Sequence, residues 1–176
     1  LMKYHDYFIN NIPNDSSVLD IGCGYGAVAR SIAKKVNGVV VTGIDNDRDR
    51  LNQAKSNNHL KNLSFIFGDV LEIKNNKKYD VLVMSNILEH VEKRVDFIKK
   101  IVQSVLPEII LIRVPLFERH WELPMRKELG VNYFSDSTHF IEHTKEEFKK
   151  EISDAGLRIE NMEILWGEIW AKCITK

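Results

Sequence analysis

The stretch VLDIGCGYG, from Val18 to Gly26, contains an apolar run, an acidic residue and then three glycines at alternate positions. Glycine has no Cβ and adopts positive φ readily, so this loop turns sharply and brings bare backbone against a ligand. The helix-forming run from Ala27 to Lys35 follows at once. A strand, a glycine loop and a helix N-terminus in this order predict a cofactor-binding turn.

Two interpretations fit this turn. The spacing Gly22-x-Gly24-x-x-Ala27 satisfies the dinucleotide pattern, in which the loop backbone holds a pyrophosphate. The carboxylate of Asp20 would repel that pyrophosphate, whereas it would accept hydrogen bonds from an ammonium group or a loop N–H. D-x-G-x-G-x-G at the end of a first strand resembles motif I of the class I S-adenosylmethionine (SAM) dependent methyltransferases.

The resemblance implies SAM as cofactor, S-adenosylhomocysteine (SAH) as product and methyl transfer as the reaction. Two alternatives stay open from the sequence. One is an NAD-dependent oxidoreductase on a Rossmann-type fold, and the other is a non-catalytic SAM-binding or partner protein.

Composition sets limits on the class of protein. The 176 residues are expected to form one domain over 1–176, and 25 basic residues balance 25 acidic ones. Zero net charge argues against a nucleic-acid partner. The distant cysteines Cys23 and Cys173 fit a reducing cytoplasm, and no apolar run reaches the roughly 18 residues of a membrane span. We therefore expect a soluble cytoplasmic protein, and its oligomeric state is left open.

Short apolar runs alternate with helical stretches through most of the chain. The strand-like runs are Ser17 to Ile21, Val39 to Ile44, Leu63 to Phe67, Val81 to Met84 and Ile109 to Val114. Helical periodicity covers Ala27 to Val36, Asp47 to Asn57 and Val91 to Leu106. This alternation predicts an α/β fold in which a doubly wound, mostly parallel sheet is covered by helices on both faces.

The last third of the chain adds a helix and a hairpin. Thr144 and Glu147 form a capping-box pattern, and Gly156 marks the end of that helix. Leu157 to Ile164 and Ile169 to Ile174 then read as paired strands. The resemblance implies a Rossmann-like seven-stranded sheet of order 3-2-1-4-5-7-6 with an antiparallel last strand.

Acidic residues close three successive strands, where parallel sheets bind ligands. Asp45 is placed to accept both ribose hydroxyls, with an acidic helix cap as the alternative. The resemblance assigns Asp69 and Val70 to the adenine, and Ser85 with Asn86 to the methionine portion. The predicted cofactor-binding residues are Asp20, Gly22, Cys23, Gly24, Gly26, Asp45, Asn46, Asp69, Val70, Ser85 and Asn86.

The segment from Leu116 to Ile141 lacks clear periodicity and contains one proline, Pro124, and several aromatic residues. Irregular stretches of about 25 residues inside a compact domain are usually functional or mobile. By resemblance this segment covers the substrate; the alternative is a surface excursion packed by its own aromatic side chains.

The acceptor is expected to be a small molecule, with oxygen favoured as the acceptor atom over nitrogen or carbon. A hydroxyl acceptor must lose a proton, and histidine suits that task. His90, directly after Glu89, is the predicted catalytic residue, with a helix-capping or loop-bonding role as the alternative. His139 and His143 have a spacing that fits lining the acceptor pocket, although solvent-facing polar positions are the favoured interpretation, and no metal site is expected because a third ligand is not evident.

Overall fold

The computed structural model describes residues 4–72 and 78–175, which form one seven-stranded sheet with helices on both faces. The strands are β1 (Ser17–Ile21), β2 (Val40–Asp45), β3 (Leu63–Phe67), β4 (Val81–Ser85), β5 (Ile109–Pro115), β6 (Leu157–Leu165) and β7 (Glu168–Thr175). The helices are α1 (Asp6–Asn11), α2 (Ala27–Lys35), α3 (Arg48–Ser56), α4 (Arg94–Val105), α5 (Glu122–Glu128) and α6 (Lys145–Asp154). Leu88–His90 and Phe117–Arg119 are short 3-10 helices.

The strand order is β3-β2-β1-β4-β5-β7-β6, which confirms the predicted topology. The first five strands pair in parallel, and β7 runs antiparallel to both β5 and β6. Because β1 to β4 are parallel and in register, their carboxyl ends meet at one edge of the sheet. We call this the carboxyl edge.

Two apolar cores lie on opposite faces of the sheet, which is why the central strands are apolar without alternation. On one face α4 and α6 pack through residues such as Ile98 and Phe148. On the other face α1, α2 and α3 pack through residues such as Phe8 and Ile32. Packing on both faces of the sheet holds the strand ends at the carboxyl edge in fixed positions.

Helix α4 begins at Arg94, later than the predicted Val91. The 3-10 helix Leu88–His90 ends in extended backbone at Val91, so the helical ladder restarts only after it. The 3-10 turn contributes to the apolar pattern that predicted the earlier start, because its Leu88 is buried in the same core as α4.

The segment from Leu116 to Ile141, which we call the covering segment, is more regular than the sequence suggested. It contains the 3-10 helix Phe117–Arg119 and the seven-residue helix α5. Its start is fixed to the sheet, because the Leu116 N–H donates to Gly167 O at 3.0 Å and the Phe117 N–H donates to His143 O at 2.8 Å. Helix α5 escaped prediction because Pro124 and exposed aromatic and apolar residues obscure its periodicity.

No helix in the described ranges is both long and apolar enough to span a bilayer.

Candidate functional site

A cavity of about 500 Å³ opens at the carboxyl edge. Its wall contains five of the predicted cofactor-binding residues, Gly22, Asp45, Asn46, Asp69 and Val70, together with His90. The rest of the wall is formed by Gly68, by Glu92 and by the apolar side chains of Ile21, Ile44, Leu71, Ile87, Val91, Phe97 and Phe140. The cavity therefore has an acidic side at the strand ends and a mainly apolar side formed by later segments.

Asp45 lies at the end of β2 and fixes the glycine loop. Its Oδ2 accepts from the Gly24 N–H at 2.7 Å, and its Oδ1 accepts from the Asp47 N–H at 2.7 Å. The N-cap of α3 is Asp47, whose Oδ1 accepts from two helix N–H groups. Each carboxylate oxygen of Asp45 thus keeps a lone pair free for a ligand hydroxyl.

Asp69 and Val70 follow β3 on the rim of the cavity. Asp69 is exposed, and its Oδ1 accepts from the Leu71 N–H at 2.9 Å in an Asx turn. Val70 is half-buried and packs against the apolar core. The turn brings both residues into the cavity wall.

Buried polar atoms without partners lie behind the glycine loop, in the described part of the chain. Both carboxyl oxygens of Asp20, Ser85 Oγ and Asn86 Oδ1 are buried and accept no hydrogen bond. Burial raises the pKa of Asp20 to about 7; the negative charge of Asp45 adds to this, while the Ala29 N–H and Arg113 oppose it. Unpartnered acceptors are costly in a folded protein, so this group fits a ligand that brings donors.

The glycine loop is held by close packing at two of its positions. Gly22 has a φ of 63°, and a Cβ placed there would lie 2.0 Å from Ile87 Cδ1. Gly26 has a φ of 75°, and a Cβ would lie 2.5 Å from the Phe65 ring. The Cys23 side chain is buried in the core below the loop, and burial raises the pKa of its thiol. The other six predicted cofactor-binding residues do not line the cavity: Asp20, Cys23, Gly24, Gly26, Ser85 and Asn86.

The family of methyltransferase domains matches residues 18–108, just over half of the chain. The chain belongs to the class I SAM-dependent methyltransferase domains. SAM is accordingly the cofactor of this domain, and the prediction of fold and cofactor from D-x-G-x-G-x-G is confirmed.

Curated relatives of this methyltransferase domain act on different atoms. The chain is 34% identical over 116 residues to the ubiquinone biosynthesis O-methyltransferase of Rickettsia canadensis, and the match covers 61% of this chain and 48% of that protein. It is also 34% identical over 93 residues to the (S)-tetrahydroprotoberberine N-methyltransferase of Eschscholzia californica, covering 51% and 27%. The chain thus spans between about a quarter and a half of the length of these relatives.

A solved structure with the same fold is magnesium protoporphyrin IX methyltransferase from Synechocystis PCC 6803 with bound SAH. The TM-score is 0.75 at 17% sequence identity, and the match covers 99% of this chain and 83% of that one. At this identity the likeness establishes the shared fold.

On the apolar side of the cavity, this methyltransferase domain brings together residues that are far apart in sequence. The His90 and His139 rings lie 4.8 Å apart in an edge-on arrangement. Glu89, beside them, is 1% exposed, and its Oε2 has no hydrogen-bond partner. Burial raises the pKa of Glu89 to about 8, whereas burial and the neighbouring His139 lower the pKa of His90.

His143 does not share this site with His139. It is fully buried, and its Nε2 lies 3.2 Å from Glu151 Oε1. Glu151 also binds Arg94, so His143 joins the chain just after the covering segment to α6 and α4. Both sequence-based interpretations, a solvent-facing position and a place in the acceptor pocket, are wrong for His143, because the chain direction changes at the start of α6 and turns its ring into the core.

Two features of the site were not anticipated from the sequence. Phe140, which is 54% exposed, lines the cavity from the covering segment, and its N–H donates to Glu89 O at 2.8 Å. The burial of Glu89 was also missed, although the adjacent Glu-His pair after β4 was a usable signal. Nothing in the local sequence indicates that His139 pairs with His90, because that contact joins segments about fifty residues apart.

Proposed function

We propose that this domain transfers a methyl group from SAM to a small-molecule acceptor, with oxygen the favoured acceptor atom. The observation that carries this proposal is the two-sided cavity, whose acidic wall ends in Asp45 and Asp69 and whose apolar wall ends at His90. Its volume of about 500 Å³ lies within the usual range for small-molecule sites.

The polar atoms of the carboxyl edge fit the parts of SAM. Asp45 and Asn46 would take the ribose hydroxyls, and Asp69 with the Val70 N–H would take the adenine. Asp20, Ser85 and Asn86 form the group of buried acceptors without partners, which suits a ligand ammonium. The backbone of Gly22, Cys23, Gly24 and Gly26 forms the loop that passes beside the ligand.

SAM supplies an electrophilic methyl group carried on a cationic sulfur. The protein's main task is then to orient the acceptor and exclude water, which contributes roughly 7 to 11 kcal/mol in well-aligned systems. Ile87, Phe97 and Phe140 supply the apolar surface for this, and His90 lies at its edge. We keep His90 as the proposed catalytic residue in contact with the acceptor.

The acceptor proposal is supported by the relatives and by the chemistry of the apolar wall. An O-methyltransferase and an N-methyltransferase are matched at the same identity, so the names alone do not choose the atom. Oxygen is favoured because Glu89, His90 and His139 place polar groups beside the apolar wall, where a hydroxyl would bind. The covering segment is the proposed lid over this acceptor.

Two buried free thiols, Cys23 and Cys173, support the cytoplasm as the compartment.

The proposal is tested by calorimetry and thermal unfolding with SAM, SAH and NAD. SAM and SAH should bind and raise the melting temperature with the logarithm of their concentration, and NAD should not. Asp45→Ala should weaken SAM binding at least ten-fold, since about 1.4 kcal/mol corresponds to a factor of ten. Asp49→Ala removes the same charge from an exposed position on α3 and should leave the affinity unchanged.

A stabilising response to NAD alone would contradict methyl transfer as the function. Equal SAM affinity in the Asp45→Ala and wild-type proteins would instead contradict the ribose assignment. The acceptor itself is best sought by incubating the protein with methyl-labelled SAM and cell extract, then identifying the labelled product.

A further inference from the structure

Glu89, His90 and His139 form a compact cluster, which we call the acceptor-side cluster. One ligand atom from each residue lies within 4.8 Å of the other two. Glu89 contributes a buried carboxylate oxygen that no protein group satisfies. A buried acceptor facing two imidazoles requires either a donor or a cation.

The two histidine rings are oriented in the manner of metal ligands. His139 Nδ1 lies 2.9 Å from Glu142 Oε1, and His90 Nδ1 lies 2.9 Å from Thr138 Oγ1. In the described structure no protein group forms a hydrogen bond with the Nε2 atom of either ring. Metal-binding histidines typically use one ring nitrogen for the ion and engage the other with a carboxylate, carbonyl or water, which fixes the tautomer.

The orienting groups are themselves held in place. Glu142 has no exposed side-chain surface, and its Oε2 accepts from Arg119 Nη1 at 2.8 Å. Its Oε1 also accepts from the Ser135 N–H at 2.7 Å. Burial raises the pKa of Glu142, but these hydrogen bonds outweigh it and hold the pKa below its usual value. The Phe140 N–H to Glu89 O bond then fastens the two ligand-bearing segments together.

We propose that Glu89, His90 and His139 bind a divalent transition-metal ion at the acceptor end of the cavity. Two imidazoles and one carboxylate favour Mn²⁺, Fe²⁺, Co²⁺ or Zn²⁺ over Mg²⁺ or Ca²⁺, which select oxygen ligands. Ligand atoms around such an ion lie about 3 to 3.4 Å apart, so small side-chain movements close the cluster around it.

This site changes the sequence-based interpretation in two respects. The third ligand that the sequence did not reveal is Glu89, and the histidine partner of His139 is His90, not His143. A bound ion uses the Nε2 lone pair of His90, so the metal role replaces a direct base role for that residue.

The proposed function gives the ion a task, and this step rests on that proposal. Three protein ligands leave open coordination positions that an acceptor hydroxyl can occupy. A divalent ion lowers the pKa of a bound hydroxyl and fixes its position. The favoured acceptor class is therefore a hydroxyl compound with a second oxygen placed to bind the same ion.

The test is metal binding by the purified full chain, stripped of metal and without SAM. Calorimetry with Mn²⁺ and the visible absorption of bound Co²⁺ should both report one ion per chain, with Mg²⁺ binding at least ten-fold weaker. Glu89→Gln and His139→Gln should each weaken Mn²⁺ binding at least a hundred-fold. Thr138→Val, which removes the hydroxyl that orients His90 and that also donates to Asp136, should weaken it about ten-fold.

His59→Gln is the matched control, because it removes an exposed histidine on the connection before β3. It should bind Mn²⁺ like the wild type. Similar affinities in the wild type, Glu89→Gln and His139→Gln proteins would overturn the proposal, as would the absence of Co²⁺ and Mn²⁺ binding. Should Glu89→Gln fail to fold by circular dichroism, the partly exposed His139→Gln variant decides.

Parallel SAM calorimetry separates this inference from the proposed function. SAM binding without metal binding would overturn the metal site and leave methyl transfer standing. Metal binding without SAM binding would contradict methyl transfer and leave the ion site established.

Discussion

The carboxyl edge and the acceptor-side cluster each contain a buried carboxyl group without a partner, but they are built in different ways. At the carboxyl edge, Asp20 lies next to the end of β1 and Asp45 ends the neighbouring parallel strand β2, where two main-chain N–H groups donate to its carboxylate. In the acceptor-side cluster, Glu89 faces two imidazole rings that come from a turn and from the covering segment.

The comparison shows two ways of positioning charge. A parallel sheet fixes the ends of its strands, so a carboxylate at such an end is placed by the fold itself. The acceptor-side cluster depends on a chain of side-chain contacts through Glu142, Arg119 and Thr138. Loss of one contact should therefore disturb the second region while leaving the first in place.

Asp20→Asn should produce the largest effect, on the pH dependence of stability. The folded-state pKa of Asp20 is about 7, above its usual value near 4, so its contribution to stability is present at low pH and is lost as pH rises through 7. Relative to wild type, the variant should gain roughly 2 to 3 kcal/mol between pH 5 and pH 8. Urea unfolding without ligand at four pH values in this range measures the difference.

Asp45→Asn is the matched comparison, since Asp45 ends the adjacent strand with both oxygens already hydrogen-bonded. Because the charge of Asp45 helps to raise the pKa of Asp20, this variant should gain less stability relative to wild type between pH 5 and pH 8 than Asp20→Asn does. A stability difference between wild type and Asp20→Asn that does not change with pH would mean that Asp20 is charged and compensated in the free protein.

Arg119→Ala should loosen the covering segment selectively. Arg119 donates to Leu116 O at 3.1 Å and to buried Glu142, and it also contacts Ser135 Oγ. Breaking such a buried pair should cost the local structure about 2 kcal/mol, which corresponds to roughly thirty-fold faster amide exchange. Hydrogen exchange should detect this at Ser135 and not at Gly24.

Arg158→Ala serves as the control for this experiment, because the side chain of Arg158 is 59% exposed in its pair with Glu160. Exposed ion pairs contribute little, so exchange should stay close to wild type. Equal acceleration at Ser135 and Gly24 in Arg119→Ala would show that the two regions open as one cooperative unit.

These two regions also differ in how far the sequence predicts them. The carboxyl edge follows from local patterns, because strand runs, the glycine loop and three acidic strand ends occur in chain order. The parallel topology then brings Asp45 and Asp69 to one cavity without any long-range information. Local sequence also predicted the α6 capping box at Thr144, whose hydroxyl accepts from the Glu147 N–H.

The acceptor-side cluster was only partly predictable. The Glu89-His90 pair after β4 identified a candidate residue, but burial of Glu89 depends on the covering segment closing over it. His139 and His143 have equivalent local sequence contexts, and only the tertiary path separates the ring that contacts His90 from the ring in the core. Helix α5 was missed for the same reason, since its contacts with the rest of the fold are not encoded in its own periodicity.

Asp69→Ala should have the smallest effect, a two- to five-fold loss of SAM affinity in calorimetry. Asp69 is exposed and already hydrated, and one of its oxygens maintains the turn to Leu71, so a ligand gains less from it than from buried Asp45. Asp69→Asn preserves the turn acceptor and should retain most of the affinity. A loss of SAM affinity as large as that of Asp45→Ala would contradict this expectation. It would show that position at a strand end, rather than burial, sets the strength of the contact, so that the exposed end of the carboxyl edge contributes as much as its buried end.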